Sequence, residues 1–268
     1  MIGQERLISD LKSLIHSNQF PRFCILAGDR GSGKKLIADY IGKELNYITI
    51  NTGISVADIK GMIESCHTIT EGSLRIIPDA DGMSLQAKNA LLKITEEPPN
   101  NTYIIMTLED INNTLDTIRS RATVFQLEPY SSIQLEEYAK AKGYSDLDII
   151  KDICENPGQV DLLCSYDVQG FYGFVIKTVE HIATANGANI FKLSASLKLK
   201  DDGDGYDLKL FLKMFIKVCK EKYEETNDDK YLSGVIITSN YLKDLRISGI
   251  SKVGVIDLWI LDIRKEWM

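Results

Sequence analysis

The feature that most constrains this chain is an apolar run that empties into a glycine-rich loop. Phe23-Cys24-Ile25-Leu26-Ala27 leads directly into Gly28-Asp29-Arg30-Gly31-Ser32-Gly33-Lys34-Lys35. Five consecutive apolar residues stopped by glycine read as a strand covered on both faces. Beyond the loop, Leu36, Ile37, Tyr40 and Ile41 recur at helical spacing. Strand, loop and helix in that order match a phosphate-binding element, the alternative being a glycine-rich turn that holds no ligand. The glycines let successive N–H groups converge on phosphate oxygens, and the amino end of the helix adds a favourable dipole. A strand buried on both faces also calls for a mostly parallel sheet with helices packed over it.

The rest of the first half repeats the alternation. Tyr47–Ile50, Leu74–Ile77 and Tyr103–Met106 read as strands. Leu7 to Ile15 and Leu85 to Ile94 carry helical periodicity between and before them. The pattern changes after Pro129. A helix starts at Ser131 or Ser132, with breaks at Gly143 and at Asn156-Pro157-Gly158. From about Tyr166 the chain reads as helices only: 174–185, 208–222, 231–245 and 253–267. The expected fold class is therefore α/β plus all-α. We divide it into an α/β nucleotide-binding domain over 1–129, a small helical domain over 130–165 and a helical domain over 166–268. Val255, Ile256, Trp259, Ile260 and Ile263 form a wide apolar stripe that reads as core or subunit interface. The acids Glu221, Glu224, Glu225, Asp228 and Asp229 read as a solvated loop.

Composition narrows the function classes. The formal net charge is −7, which argues against a protein that grips DNA alone, because phosphate neutralisation dominates such binding. It leaves open a subunit that meets DNA within a larger assembly. Cys24, Cys66, Cys154, Cys164 and Cys219 show no short metal-ligand spacing, so free thiols in a reducing compartment are expected and no zinc. The cluster Asp201-Asp202-Gly203-Asp204-Gly205 lacks the glutamate that closes a calcium loop and reads as a turn. No metal site is expected. No apolar run reaches the roughly 18 residues of a membrane span, and the expectation is a soluble, cytoplasmic protein.

The phosphate loop carries two substitutions that bear on hydrolysis. Gly28, Gly31, Ser32, Gly33 and Lys34 match the phosphate-binding pattern, with Lys34 toward the terminal phosphates. Lys35 then stands where Ser or Thr would hold Mg²⁺. A protonated ammonium has three donors and no acceptor, so it cannot ligate a cation. Either Lys35 neutralises phosphate charge and permits binding without metal, or it points to solvent beside a vestigial site. After the third strand the sequence is Ile77-Pro78-Asp79-Ala80-Asp81. Pro78 falls where the metal-holding Asp is expected and Asp79 where the Glu that activates water is expected. Sliding the register by one puts Asp79 on the metal position and loses the base to Ala80. Asp81 reads as a helix-capping acid.

Met83-Ser84-Leu85-Gln86-Ala87-Lys88-Asn89-Ala90-Leu91-Leu92-Lys93-Ile94-Thr95-Glu96-Glu97-Pro98-Pro99 resembles the stretch after the third strand in clamp-loader subunits of the AAA+ ATPase class. Ile2-Gly3-Gln4 is similar to the segment that lines the adenine pocket there, and Thr107 lies near that family's first sensor. Ser120-Arg121 resembles the motif that offers an arginine to the neighbouring subunit, with Ala122 replacing the usual Cys; Arg119 is a weaker candidate. Gly158 stands near the place of a second sensor arginine. The degenerate segments look most like those of the stator-type members, although the four-cysteine zinc module common there is absent. The resemblance covers residues 1 to about 165.

It implies a P-loop AAA+ module, a helical lid and a helical collar. It further implies a non-hydrolysing subunit that scaffolds the ring and donates Arg121 in trans, holding no cofactor, or ATP or ADP without efficient turnover. The implied partners are clamp-loader motor subunits, a sliding clamp, and primer-template DNA contacted through the complex, with Lys88 toward a phosphate. The alternative is an active motor subunit.

Overall fold

The computed structural model describes residues 2–68, 72–99, 101–184, 197, 205–245 and 252–268. The aspartate cluster at 201–204 lies outside them. Packing divides the chain into two units, one of residues 1–134 with Asn156–Gly158, the other of 135–155 with 159–268.

The first unit opens with α1 (Glu5–His16), followed by β1 (Phe23–Ala27), α2 (Lys34–Leu45), β2 (Ile48–Asn51) and α3 (Val56–Thr68). Then come β3 (Ser73–Ile77), α4 (Leu85–Glu96), β4 (Thr102–Leu108), the short α5 (Asp116–Arg119) and β5 (Thr123–Gln126). The strands form one parallel sheet in the order β2-β3-β4-β1-β5. β1 and β3 are buried at every position; β1 is a continuous apolar run, as a strand covered on both faces predicts, whereas β3 also buries Ser73 and Arg75. β5 was not anticipated from sequence. It is an edge strand, mostly exposed, and carries neither an apolar run nor clean alternation.

Two apolar layers cover the sheet. Leu11, Ile37, Ile41, Leu74 and Ile76 pack on one face, and Ile59, Met62, Leu91, Ile94 and Ile104 on the other. Side chains of successive strand residues point to opposite faces, so Leu74 and Ile76 join one layer and Ile77 the other. This arrangement brings the carboxyl ends of β1, β3 and β4 together, where parallel α/β sheets place their ligands.

The second unit contains most of α6 (Ser132–Ala141), α7 (Leu147–Ile153), α8 (Pro157–Cys164) and α9 (Val168–Thr184). It continues with α10 (Leu208–Thr226), α11 (Asp229–Asp244) and α12 (Lys252–Trp267). Pro157 occupies the first helical position of α8, where its missing N–H costs nothing. The stripe read in α12 is core: Trp259, Ile260 and Ile263 are fully buried. Trp259 stands edge-on to Phe215 with ring centroids 4.7 Å apart, and its indole N–H donates to Thr238 Oγ1 at 3.0 Å. Among the described residues, no helix is long and apolar enough to cross a membrane.

Candidate functional site

The phosphate loop leaves β1 at Gly28, whose N–H donates to the carbonyl of Leu108 at the end of β4. Gly31 and Gly33 adopt φ of 86° and 93°, a region open to glycine at little steric cost. Lys34 is buried, and its Nζ folds back onto the loop, donating to the carbonyls of Gly28 at 2.6 Å and Asp29 at 2.9 Å. Burial lowers the Lys34 pKa, against the opposing pull of the carboxylates of Glu109, Asp79, Asp81 and Asp29. Ser32 Oγ is buried with no hydrogen-bond partner among the described residues. Lys35 is exposed at the start of α2.

The outer side of the loop is held by protein. The N–H of Gly158 donates to the Gly31 carbonyl at 2.9 Å, and the Tyr130 hydroxyl donates to the Ser32 carbonyl at 2.8 Å. The contact at Gly158 is backbone against backbone: a Cβ built there would lie 2.5 Å from Gly31 Cα. Gln4 spans both backbone groups of Glu128, donating to its carbonyl at 2.7 Å and accepting from its N–H at 2.9 Å. The resemblance implies an adenine-pocket role for Gln4; the clamp on Glu128, and the part taken by Tyr130 and Asn156–Gly158, have no local signature in the sequence.

At the end of β3, register pairs Ile77 with Met106, so Pro78 and Asp79 emerge beside Thr107. Asp79 has φ 49°, and its N–H donates to Thr107 Oγ1 at 3.0 Å. The Thr107 hydroxyl therefore ties the ends of β3 and β4 together. Asp81 does not cap α4. Its carboxylate accepts from the N–H groups of Glu109 at 2.7 Å and Asp110 at 3.2 Å, and from Asn113 Nδ2 at 3.0 Å. The cap of α4 is Ser84, which accepts from the Ala87 N–H. Ser84 has the extended backbone that an N-cap needs, whereas Asp81 lies inside a short 3₁₀ turn.

Lys88, on α4, donates to the carbonyl of Asn113. Arg119 pairs with Asp116 at 2.8 Å. Arg121, just beyond α5, donates through Nη1 to the Thr117 carbonyl at 2.5 Å and pairs through Nη2 with Glu96. The five cysteines are free thiols, and no cluster able to hold a metal occurs among the described residues.

A nucleotide can be tested against these residues. Its phosphates fit the left-handed glycine cradle, the buried Lys34 and the free N–H groups that begin a helix. Lys35 and Pro78 themselves offer no acceptor side chain to its Mg²⁺.

This combination of a parallel sheet with a phosphate loop at the end of its β1 strand and a following helical unit defines an AAA+-type nucleotide-binding fold. A gamma-subunit-related protein of DNA polymerase III from Thermotoga maritima is similar in structure over 97% of this chain and 99% of its own, with TM-score 0.54 and 14% identity. The RuvB Holliday junction branch migration motor of the same organism matches 83% of this chain and 78% of its own, with TM-score 0.52 and 17% identity. In sequence, the family described as DNA polymerase III, delta subunit, matches residues 46–131. The replication factor C small subunit of Natronomonas pharaonis is 27% identical over 51% of this chain and 46% of its own length. A DNA polymerase III gamma subunit of Buchnera aphidicola is 25% identical over 52% and 47%. The chain thus spans about half the length of the curated relatives it matches. In sequence it is similar to clamp-loader subunits over about half of its length.

Proposed function

We propose that this chain is a non-hydrolysing, stator-like subunit of a DNA-replication clamp loader, of the delta-prime kind. It scaffolds the ring and donates Arg121 to the ATP site of a neighbouring motor subunit. The observation that carries the reading is the pairing of a well-formed phosphate loop with a lysine and a proline at the two metal-holding positions. A triphosphate in this loop would keep its contact to Lys34 and lose the protein groups that anchor its divalent counter-ion, which hydrolysis requires. The 130–165 and 166–268 segments serve as lid and collar. Motor subunits, a sliding clamp and primer-template DNA, met through the complex and with Lys88 facing a phosphate, are the partners. The location is the cytoplasm.

Titration of ATP and ADP into the isolated chain, with Mg²⁺ and with chelator, tests the reading. The expected outcome is no binding or metal-independent binding, with no turnover above background in either condition. Brisk hydrolysis abolished by chelator and by Lys34→Ala would instead make the chain a motor, the alternative that Lys34 and the glycines favour.

A further inference from the structure

Arg121 is held from two sides, and the contacts come from two different helices. Its Nη1 donates to the carbonyl of Thr117 in α5, and its Nη2 pairs with the carboxylate of Glu96, the last residue of α4. Glutamate at the carboxyl end of a helix is locally unfavourable, since it meets the negative end of the helix dipole and the unpaired terminal carbonyls. A cation placed there offsets both. Half of the Glu96 side chain, 51%, is exposed, and so is 31% of that of Arg121. Neither group is buried by the fold, and the pair is accessible to another molecule.

The donor count decides what the pair leaves available. A guanidinium has five N–H donors in a fixed plane. Two are committed here, one on each Nη. Nε–H and one hydrogen on each Nη remain, enough to fork onto two phosphate oxygens. Arg119 is differently placed, with Asp116 and Asn112 accepting from its two Nη atoms. A freely rotating arginine loses about 2 kcal/mol of side-chain entropy when it is fixed. Contacts that already fix it remove part of that cost from the step in which it meets its target.

We infer that Glu96 is a positioning residue for Arg121, holding the guanidinium in one orientation so that its remaining donors face a neighbouring subunit's nucleotide. The inference rests on the in-trans reading of Arg121. It adds that the carboxyl end of α4 sets the effectiveness of that arginine, while Glu96 itself touches no substrate.

The test uses the complex formed by this chain with the clamp-loader ATPase subunits of the same organism, with steady-state ATPase followed across ATP concentration. Arg121→Ala should lower kcat by roughly 10³-fold or more. Glu96→Gln should lower kcat by about two- to fivefold, as expected for loss of an exposed ion pair, with KM unchanged. Glu96→Asp, which keeps the charge, should recover most of the loss. All three variants should melt with the wild-type chain, which separates positioning from folding. If Arg121→Ala lowers kcat and Glu96→Gln leaves it equal or raises it, the role of Glu96 is overturned and the in-trans arginine stands. An unaffected Arg121→Ala complex, or a chain that does not assemble with those ATPase subunits, overturns both.

Discussion

At the phosphate loop, Gly31 and Gly158 meet backbone to backbone. Gly31 has φ 86°, and a Cβ there would lie 2.7 Å from Asn156 Oδ1. A methyl group at Gly158 would come within 2.5 Å of Gly31 Cα, a backbone atom that cannot rotate away. Gly31→Ala and Gly158→Ala should therefore each destabilise the chain by about 1–3 kcal/mol, through backbone strain and overpacking. Urea denaturation without nucleotide measures this, and wild-type midpoints would refute it. The same contact gives a physical reason for glycine at position 158: a longer side chain requires the two backbones to separate. Cys154 offers a prediction of a different kind. Burial raises its thiol from the ordinary 9.0 to about 12. Above pH 9 the unfolded chain releases this proton while the folded chain keeps it, so stability falls as pH rises from 9 towards 12. The slope from this thiol is about 1.4 kcal/mol per pH unit. Urea midpoints at pH 8.5 and 10.5 should converge in Cys154→Ala relative to wild type.

At the scale of elements, burial on both faces made β1 legible, because it leaves an apolar run that nothing else requires; in β3 Leu74, Ile76 and Ile77 carry the signal around a buried Arg75. β5 had no such signature, since Thr123, Val124 and Gln126 are exposed at the sheet edge. The candidate site divides in the same way. The glycine loop and Lys34 are local features and were readable as such. The support from Tyr130, Gln4 and Asn156–Gly158 depends on residues brought close only by folding, and so does the pairing of Glu96 with Arg121. Asp81 shows how the local rule can mislead. An acid shortly before an apolar helix suggests a cap, yet a serine three residues later has the extended backbone and accepts the Ala87 N–H. Ser84→Ala should cost about 1 kcal/mol of stability through loss of that cap. Asp81→Ala should instead loosen the turn after β4, where three donors would lose their acceptor. Hydrogen exchange at Glu109 and Asp110 separates the two, rising in Asp81→Ala and unchanged in Ser84→Ala.

At the scale of the molecule, each unit buries apolar side chains of its own, Ile25 and Leu91 in the first and Phe215 and Ile260 in the second, and both tryptophans, Trp259 and Trp267, lie in the second. Intrinsic tryptophan fluorescence consequently reports the second unit alone. Far-UV circular dichroism reports helices in both. Cores of this size commonly unfold as cooperative blocks, and a chain with two of them need not follow a single two-state transition. The fluorescence and dichroism curves in urea should therefore differ in midpoint or shape. A substitution confined to the first core tests the assignment directly. Ile25→Ala removes a fully buried side chain from β1 and should cost about 2–5 kcal/mol. It should move the dichroism transition to lower urea and leave the fluorescence midpoint where it was. If fluorescence moves equally, the units unfold as one block. A change at the phosphate loop would then reach the helical unit through shared stability.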